Sequence, residues 1–160
     1  MARAFRGIDR LDGDALVSYN GIEFDMGFLD ERCARFDRAP ETPKLRESGR
    51  HIYLFAGRKA ACGPNDKWPS LEESLDSYGL PVPETVWNGS PVDNARFGTE
   101  FAPAFLDALA RGDEREVDRH REVLDHYLKT DLEATIALYC ADQGLSFDPV
   151  HLGLHGEFRT

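Results

Sequence analysis

Lysine is scarce in this chain, found only at Lys44, Lys59, Lys67 and Lys129; the other basic side chains are arginines. Lys and Arg together number 19 against 29 Asp and Glu, a formal charge of -10 over 160 residues. That sign excludes holding nucleic acid by bulk electrostatic attraction, so any such binding needs a local site, a metal or both. Cysteine is sparse too. Cys33, Cys62 and Cys140 are odd in number and far apart, which excludes a disulfide framework and the paired spacing of a zinc knuckle and points to a reducing compartment. No apolar run approaches the ~20 residues of a membrane span, and the first ten residues hold no signal-peptide core. A cytoplasmic address without membrane association is expected. A Gly-x-Ser-x-Gly elbow and a Gly-Lys-Ser/Thr phosphate loop are both missing.

What the chain does have is enough apolar material for one core. Hydrophobic residues make up 41% and aromatics 11%, against 30% charged, and the length suits a single domain. We place that domain at residues 1–145 and expect an irregular tail at 146–160, where periodicity fades.

Local patterns give the element order. Phe5, Ile8 and Leu11 are spaced as in a helix that stops at Asp12-Gly13-Asp14. Ala15 to Tyr19 reads as a buried strand closed by Asn20-Gly21. Phe24, Phe28, Leu29, Cys33 and Phe36 recur at helical steps and predict an amphipathic helix from Glu23 to about Phe36. After a loop holding Pro40 and Pro43, His51 to Phe55 predicts a second strand, and Arg58 to Pro69 a loop. Ser70 with Glu73 is a capping box that opens a helix ending at Gly79. Asn88 to Asn94 reads as a polar loop, and Phe101, Phe105 and Leu109 mark a helix ended by Gly112. Asp113 with Glu116 opens the longest helix, about Glu114 to Ala141, with Gly144 beyond its end. Strand, helix, strand and then helices indicate an α/β domain.

Two acids stand out against this frame. On the longest helix Leu124, Leu128, Thr135, Leu138 and Tyr139 share the face expected to pack inward, and Tyr127 and Asp131 project from its edge. A partly buried carboxylate needs a cation, a metal or several donors; from the helix alone, pairing with an arginine or capping a turn stands beside metal binding. Asp25 sits where a buried strand turns into a helix, at the end of a strand where ligands collect in α/β sheets. Stabilisation of the helix start, worth ~0.3–1 kcal/mol, is the ordinary alternative there.

Taken together, the segment Leu16-Val17-Ser18-Tyr19-Asn20-Gly21-Ile22-Glu23-Phe24-Asp25-Met26-Gly27-Phe28-Leu29 resembles the second motif of the 3'-5' exonucleases with a ribonuclease-H-like fold, and Tyr127-Leu128-Lys129-Thr130-Asp131 resembles their third, in the tyrosine variant. The chain is similar to predicted exonucleases related to the proofreading domain of family B polymerases, over about Gly13 to Leu145. The resemblance implies an α/β ribonuclease-H-like fold and hydrolysis of nucleic-acid phosphodiesters with two divalent metals, Mg or Mn. It implies Asp25 and Asp131 as metal ligands, Tyr127 as the residue orienting the nucleophile, and Asn20 and Phe24 as substrate-side residues, Asn20 bracing the turn. The implied partner is a single-stranded 3' end.

The family's first motif, Asp-x-Glu on a strand, has no counterpart. Asp12-Gly13-Asp14 comes nearest in spelling but lies in a turn, and Glu133, two after Asp131 on a helix, points elsewhere. Without the opening strands the sheet keeps two short strands and an open edge, so we expect a domain truncated at its amino end, completed by a missing segment or a second chain. Tyr53 stands where relatives carry an acid. The competing expectation is a catalytically inactive nucleic-acid-binding or protein-interaction remnant of the same fold. His120, His126, His151 and His155 are expected to be solvated, and Trp68 and Trp87 to pack in the core or on loops, with base stacking the lesser alternative.

Overall fold

The computed structural model describes residues 15–35 and 51–159. The expected first helix, the Asp12-Gly13-Asp14 turn, Phe36 and the loop with Pro40 and Pro43 lie outside those residues. The architecture is mixed α/β, arranged as two compact units, Met1–Pro69 and Ser70–Thr160. Among the described residues no helix is long and apolar enough to cross a membrane.

In the first unit, β1 (Leu16–Ser18) and β2 (His51–Tyr53) form a parallel pair with Leu16 opposite His51 and Ser18 opposite Tyr53. A π-helical turn, Gly21–Asp25, follows β1 and leads into α1 (Met26–Cys33). That wider turn offsets the 3.6-residue period. Met26 therefore takes the buried position, and Phe24, expected on the inward face, is 68% exposed. The predicted second strand stops two residues early. Leu54 and Phe55 open α2 (Leu54–Ala61), and the predicted loop starts correspondingly later. Both are buried, and the Phe55 N–H donates to the Tyr19 carbonyl at 3.1 Å, so the strand end supplies an acceptor to the new helix.

In the second unit α3 (Leu71–Asp76) carries the full capping box, with the Glu73 N–H on Ser70 Oγ at 3.2 Å and the Ser70 N–H on Glu73 Oε2 at 2.7 Å. The predicted polar loop holds a hairpin instead. β3 (Thr85–Trp87) and β4 (Ser90–Pro91) pair antiparallel across Asn88-Gly89, both with positive φ, 50° and 76°, as a two-residue primed turn requires. A single turn, α4 (Asn94–Arg96), and a π-helical stretch, Phe97–Phe101, lead into α5 (Ala102–Arg111). Gly112 ends α5 in the left-handed conformation, which favours glycine. α6 (Glu114–Asp142) is capped by Asp113, whose side chain accepts the Glu116 N–H.

The tail is not irregular throughout. Gly156–Phe158 forms β5, parallel to β3, giving a three-stranded sheet in the order β4-β3-β5. Pairing with a partner so far back along the chain leaves no local periodicity to read.

Trp87, Val92, Phe101 and Val123 make the core of this unit, with Phe97, Leu124, Tyr127 and Phe158 against it; burying a large apolar side chain contributes on the order of 2–3 kcal/mol. His120, expected in solvent, is fully buried among Trp87, Phe101 and Phe105, its Nδ1 on the Glu116 carbonyl at 2.8 Å. The inward face of α6 is rotated from the expected one. Val117, Val123, Thr130, Ala134, Ala137 and Leu138 are buried, whereas Leu128 is 50% exposed. Small residues let the helix approach its neighbours closely along that stripe.

Candidate active site

In the first unit the turn after β1 carries Asn20, Phe24 and Asp25 within six residues. The Asn20 carbonyl accepts the Phe24 N–H at 3.1 Å, and its side-chain Oδ1 accepts the Tyr53 hydroxyl at 2.8 Å. Gly21 is buried, its N–H on Ser18 Oγ at 3.2 Å; a Cβ there would collide with the same hydroxyl. The turn is thus held from both strands. Asn20 braces it, as expected, and Tyr53 is the brace's partner, a role that sequence reasoning missed. Nothing in the local pattern shows that β2 sets this residue beside Asn20.

Asp25 forms no hydrogen bond or ion pair with its carboxylate among the described residues. Partial burial raises its carboxyl above the usual 3.8, although the residue remains largely accessible to solvent. Its neighbour Glu23 is spoken for, paired with Lys59 Nζ at 2.8 and 3.0 Å.

The second unit contains a cavity of about 370 Å³ walled by α3, β3, β4, α4 and α6. Tyr127 and Asp131 project into it together from successive turns of α6, facing Glu72, Asp93, Asn94 and Thr85. The Tyr127 ring packs on Phe97 at 5.6 Å between centroids and its hydroxyl donates to Asn94 Oδ1 at 3.3 Å. Burial, and then the charges of Asp131, Glu72 and Asp93, push that hydroxyl up to about 12. It stays protonated at neutral pH and acts as a donor.

Asp131 has its carboxyl raised to about 6, chiefly by burial and then by Glu72. No arginine, lysine or hydrogen-bond donor meets that carboxylate among the described residues, so the ion-pair and turn-capping alternatives find no support. Glu72 and Asp93 are acids of this cavity that the sequence did not single out. Glu72 sits in the first turn of α3, where an acid is ordinary end stabilisation, and Asp93 caps α4 through the Arg96 N–H at 2.7 Å. Each therefore has a local reason that hides its place in the cavity. Glu133 does point elsewhere, as expected: its carboxylate accepts the N–H groups of His151 and Leu152.

The histidines are only partly solvated. His126 Nδ1 meets Thr85 Oγ1 at 2.9 Å and its ring packs on Phe158. His155 reaches Glu84 at 3.3 Å. Trp87 is in the core, and Trp68 stands half exposed on the loop after α2.

The cavity is lined by oxygens of Asp131, Glu72, Asp93 and Tyr127, ligand atoms of the kind a hard divalent cation takes. No group of three or more His, Cys, Asp or Glu side chains is placed to hold a metal among the described residues. A Mg ion commonly takes one or two carboxylates and completes its shell with water and substrate phosphate, which is compatible with this donor set. No family model matches the chain, and no curated protein or solved structure matches it.

Proposed function

We propose that the chain is a ribonuclease-H-like, tyrosine-type 3'-5' exonuclease domain, acting on the 3' end of single-stranded nucleic acid with Mg or Mn. The observation that carries this reading is Asp131, half-buried beside Tyr127 in an acidic cavity, its carboxyl raised to about 6 with no cation to offset it among the described residues. A protein that leaves a carboxylate in that condition forgoes stability, and such perturbed groups concentrate at functional sites.

In this reading Asp131 in the second unit and Asp25 in the first would each serve as a metal ligand, and bound Mg or Mn would supply an activated water and stabilise the leaving oxygen. Tyr127, protonated at neutral pH, would orient the attacking water by turning its one hydroxyl proton from Asn94 Oδ1 to that water. Asn20, clamped by Tyr53, keeps the Phe24-Asp25 turn in shape, and Phe24 offers an exposed apolar face to a terminal base.

One observation favours a second reading, an inactive nucleic-acid-binding or protein-interaction remnant of the same fold. The first 19 residues contain no Asp-x-Glu, so two of the four family carboxylates are unassigned. The purified chain should accordingly trim a 3' end only feebly. Manganese titration calorimetry on the wild type and on Asp131→Asn decides between them: a binding event lost in the variant supports the nuclease centre, and no event in either supports the remnant. Release of mononucleotides from the 3' end in Mn that stops with Asp131→Asn would establish the reaction itself.

A further inference from the structure

The chain has only two tryptophans, and their settings are opposite. Trp87 is 6% exposed, whereas Trp68 is 50% exposed although its loop is closely tied. The Gly63 N–H donates to Asp66 Oδ2 at 2.7 Å, the Asp66 N–H to the Gly63 carbonyl at 3.1 Å, and the Tyr19 hydroxyl to the carbonyl of Pro69, the next residue, at 2.7 Å. The indole meets the buried Phe55 edge-on at 5.9 Å, and Phe55 in turn packs on Tyr19 and Tyr53. An aromatic cluster thus holds a tryptophan in place while leaving half of it in water, which hydrophobic burial alone would not select.

Lys59 ties this indole to the candidate site. Its ammonium lies 4.1 Å from the Trp68 ring centroid and also pairs with Glu23, the residue before Phe24 and two before Asp25. Phe24 is itself mostly exposed. One ion pair thus links the loop after α2, which carries exposed Trp68, to the turn after β1, which carries exposed Phe24 as the chain neighbour of Glu23.

We infer that Trp68 is a stacking platform for a base of single-stranded nucleic acid led toward Phe24 and Asp25, an inference that rests on the nuclease reading above. Stacking suits a protein of charge -10. Every base has a π-face, and the contact needs no net positive field. Lys59, committed to Glu23, orders the ring through a cation–π contact and adds little free charge, so affinity should fall only gently with salt.

The test uses the full chain, a short oligothymidylate and EDTA to prevent hydrolysis, with tryptophan fluorescence as the readout. The solvent-exposed, red-shifted emission belongs to Trp68 and should be quenched on titration, while buried Trp87 emission persists. Trp68→Ala should weaken binding about tenfold, and Trp68→Phe, which keeps a ring, should stay within about threefold of wild type, both with unchanged circular dichroism. Unquenched Trp68, no binding by the wild type, or equal affinity of Trp68→Ala and wild type would each overturn the inference. The two ideas fail separately. Quenching with neither hydrolysis nor Asp131-dependent manganese binding removes the nuclease and leaves the platform, whereas hydrolysis with Trp68→Ala binding unimpaired removes the platform alone.

Discussion

The Glu133 carboxylate on α6 accepts the backbone N–H groups of His151 and Leu152 at 2.6 and 2.7 Å, so one side chain fastens the segment that leads into β5. Burial works to raise this carboxyl, but the N–H groups of Leu152, His151 and Val150 outweigh it and hold it below its usual 4.5. A lowered folded pKa contributes stability above about pH 4.5 that is lost as pH falls through the folded value. Glu133→Gln should cost about 1 kcal/mol, since solvent reaches the group, and should speed amide exchange at His151 and Leu152 selectively. Uniform exchange along the chain would show that the fastening is unimportant.

Asp131 shows the opposite sign. With its folded value near 6 against 3.8, the native state holds a proton more tightly than the unfolded one. The group's contribution is then fully present below about pH 4 and lost as pH rises through 6. Asp131→Asn should therefore stabilise the chain at pH 8, by of order 2 kcal/mol, and the gain should vanish toward pH 4. Urea melts across that range provide the check, and a gain independent of pH would contradict the burial argument.

Tyr127 should behave as a donor and never as a base. Its hydroxyl, raised to about 12, should show no ionisation up to pH about 10, where an ordinary tyrosine is half ionised. The difference in ultraviolet absorption between wild type and Tyr127→Phe isolates it from the other tyrosines. Because the Asp131 charge is the second cause of the rise, Asp131→Asn should bring the ionisation down; no change would mean that the two groups do not sense each other.

Gly156 leaves room for His126. A Cβ at 156 would lie 2.5 Å from both Cε1 and Nε2 of that ring, too close for any heavy-atom contact. Gly156→Ala should cost about 1–3 kcal/mol by pushing β5 off β3, and His126→Ala should relieve most of that in a double-mutant cycle. Thermal melts of the four proteins measure it, and additive losses would refute the proposed collision.

His126 also predicts a pH response. Burial, followed by the charge of His151, lowers its value below 6.5, against weaker upward pulls from the Leu154 backbone and Asp125. Stability present above about pH 6.5 should be lost as pH falls through the folded value, and His126→Gln should flatten that slope in melts between pH 7 and about 5.

Much of the second unit was legible because its signals are local. Ser70 with Glu73, Asp113, Gly112 and Gly144 mark helix ends by bonds or backbone angles that involve only a few neighbouring residues. The same locality misled at other points. Asn88-Gly89 spells a hairpin turn, yet Ser90-Pro91 is too short a strand to show alternation. Leu54 and Phe55 continue an apolar run and still enter a helix, because a short buried run suits either state. His120 looked solvated beside charged neighbours, and only the aromatic ring positions contributed by β3 and α5 make its site apolar.

The chain's own order of residues determined its acidic balance, the capped helix starts and glycine stops of the second unit, and the placing of Tyr127 and Asp131 one turn apart on a common helix edge, consequences of composition, local capping and a 3.6-residue period. Tertiary packing decided the rest of the chemistry. It set Glu72 and Asp93 around Asp131, put Tyr53 on Asn20, drew β5 to β3 and turned Trp68 outward. Those contacts join segments far apart in the chain, and the free energy that selects them comes from burial and charge in three dimensions, which no local pattern encodes.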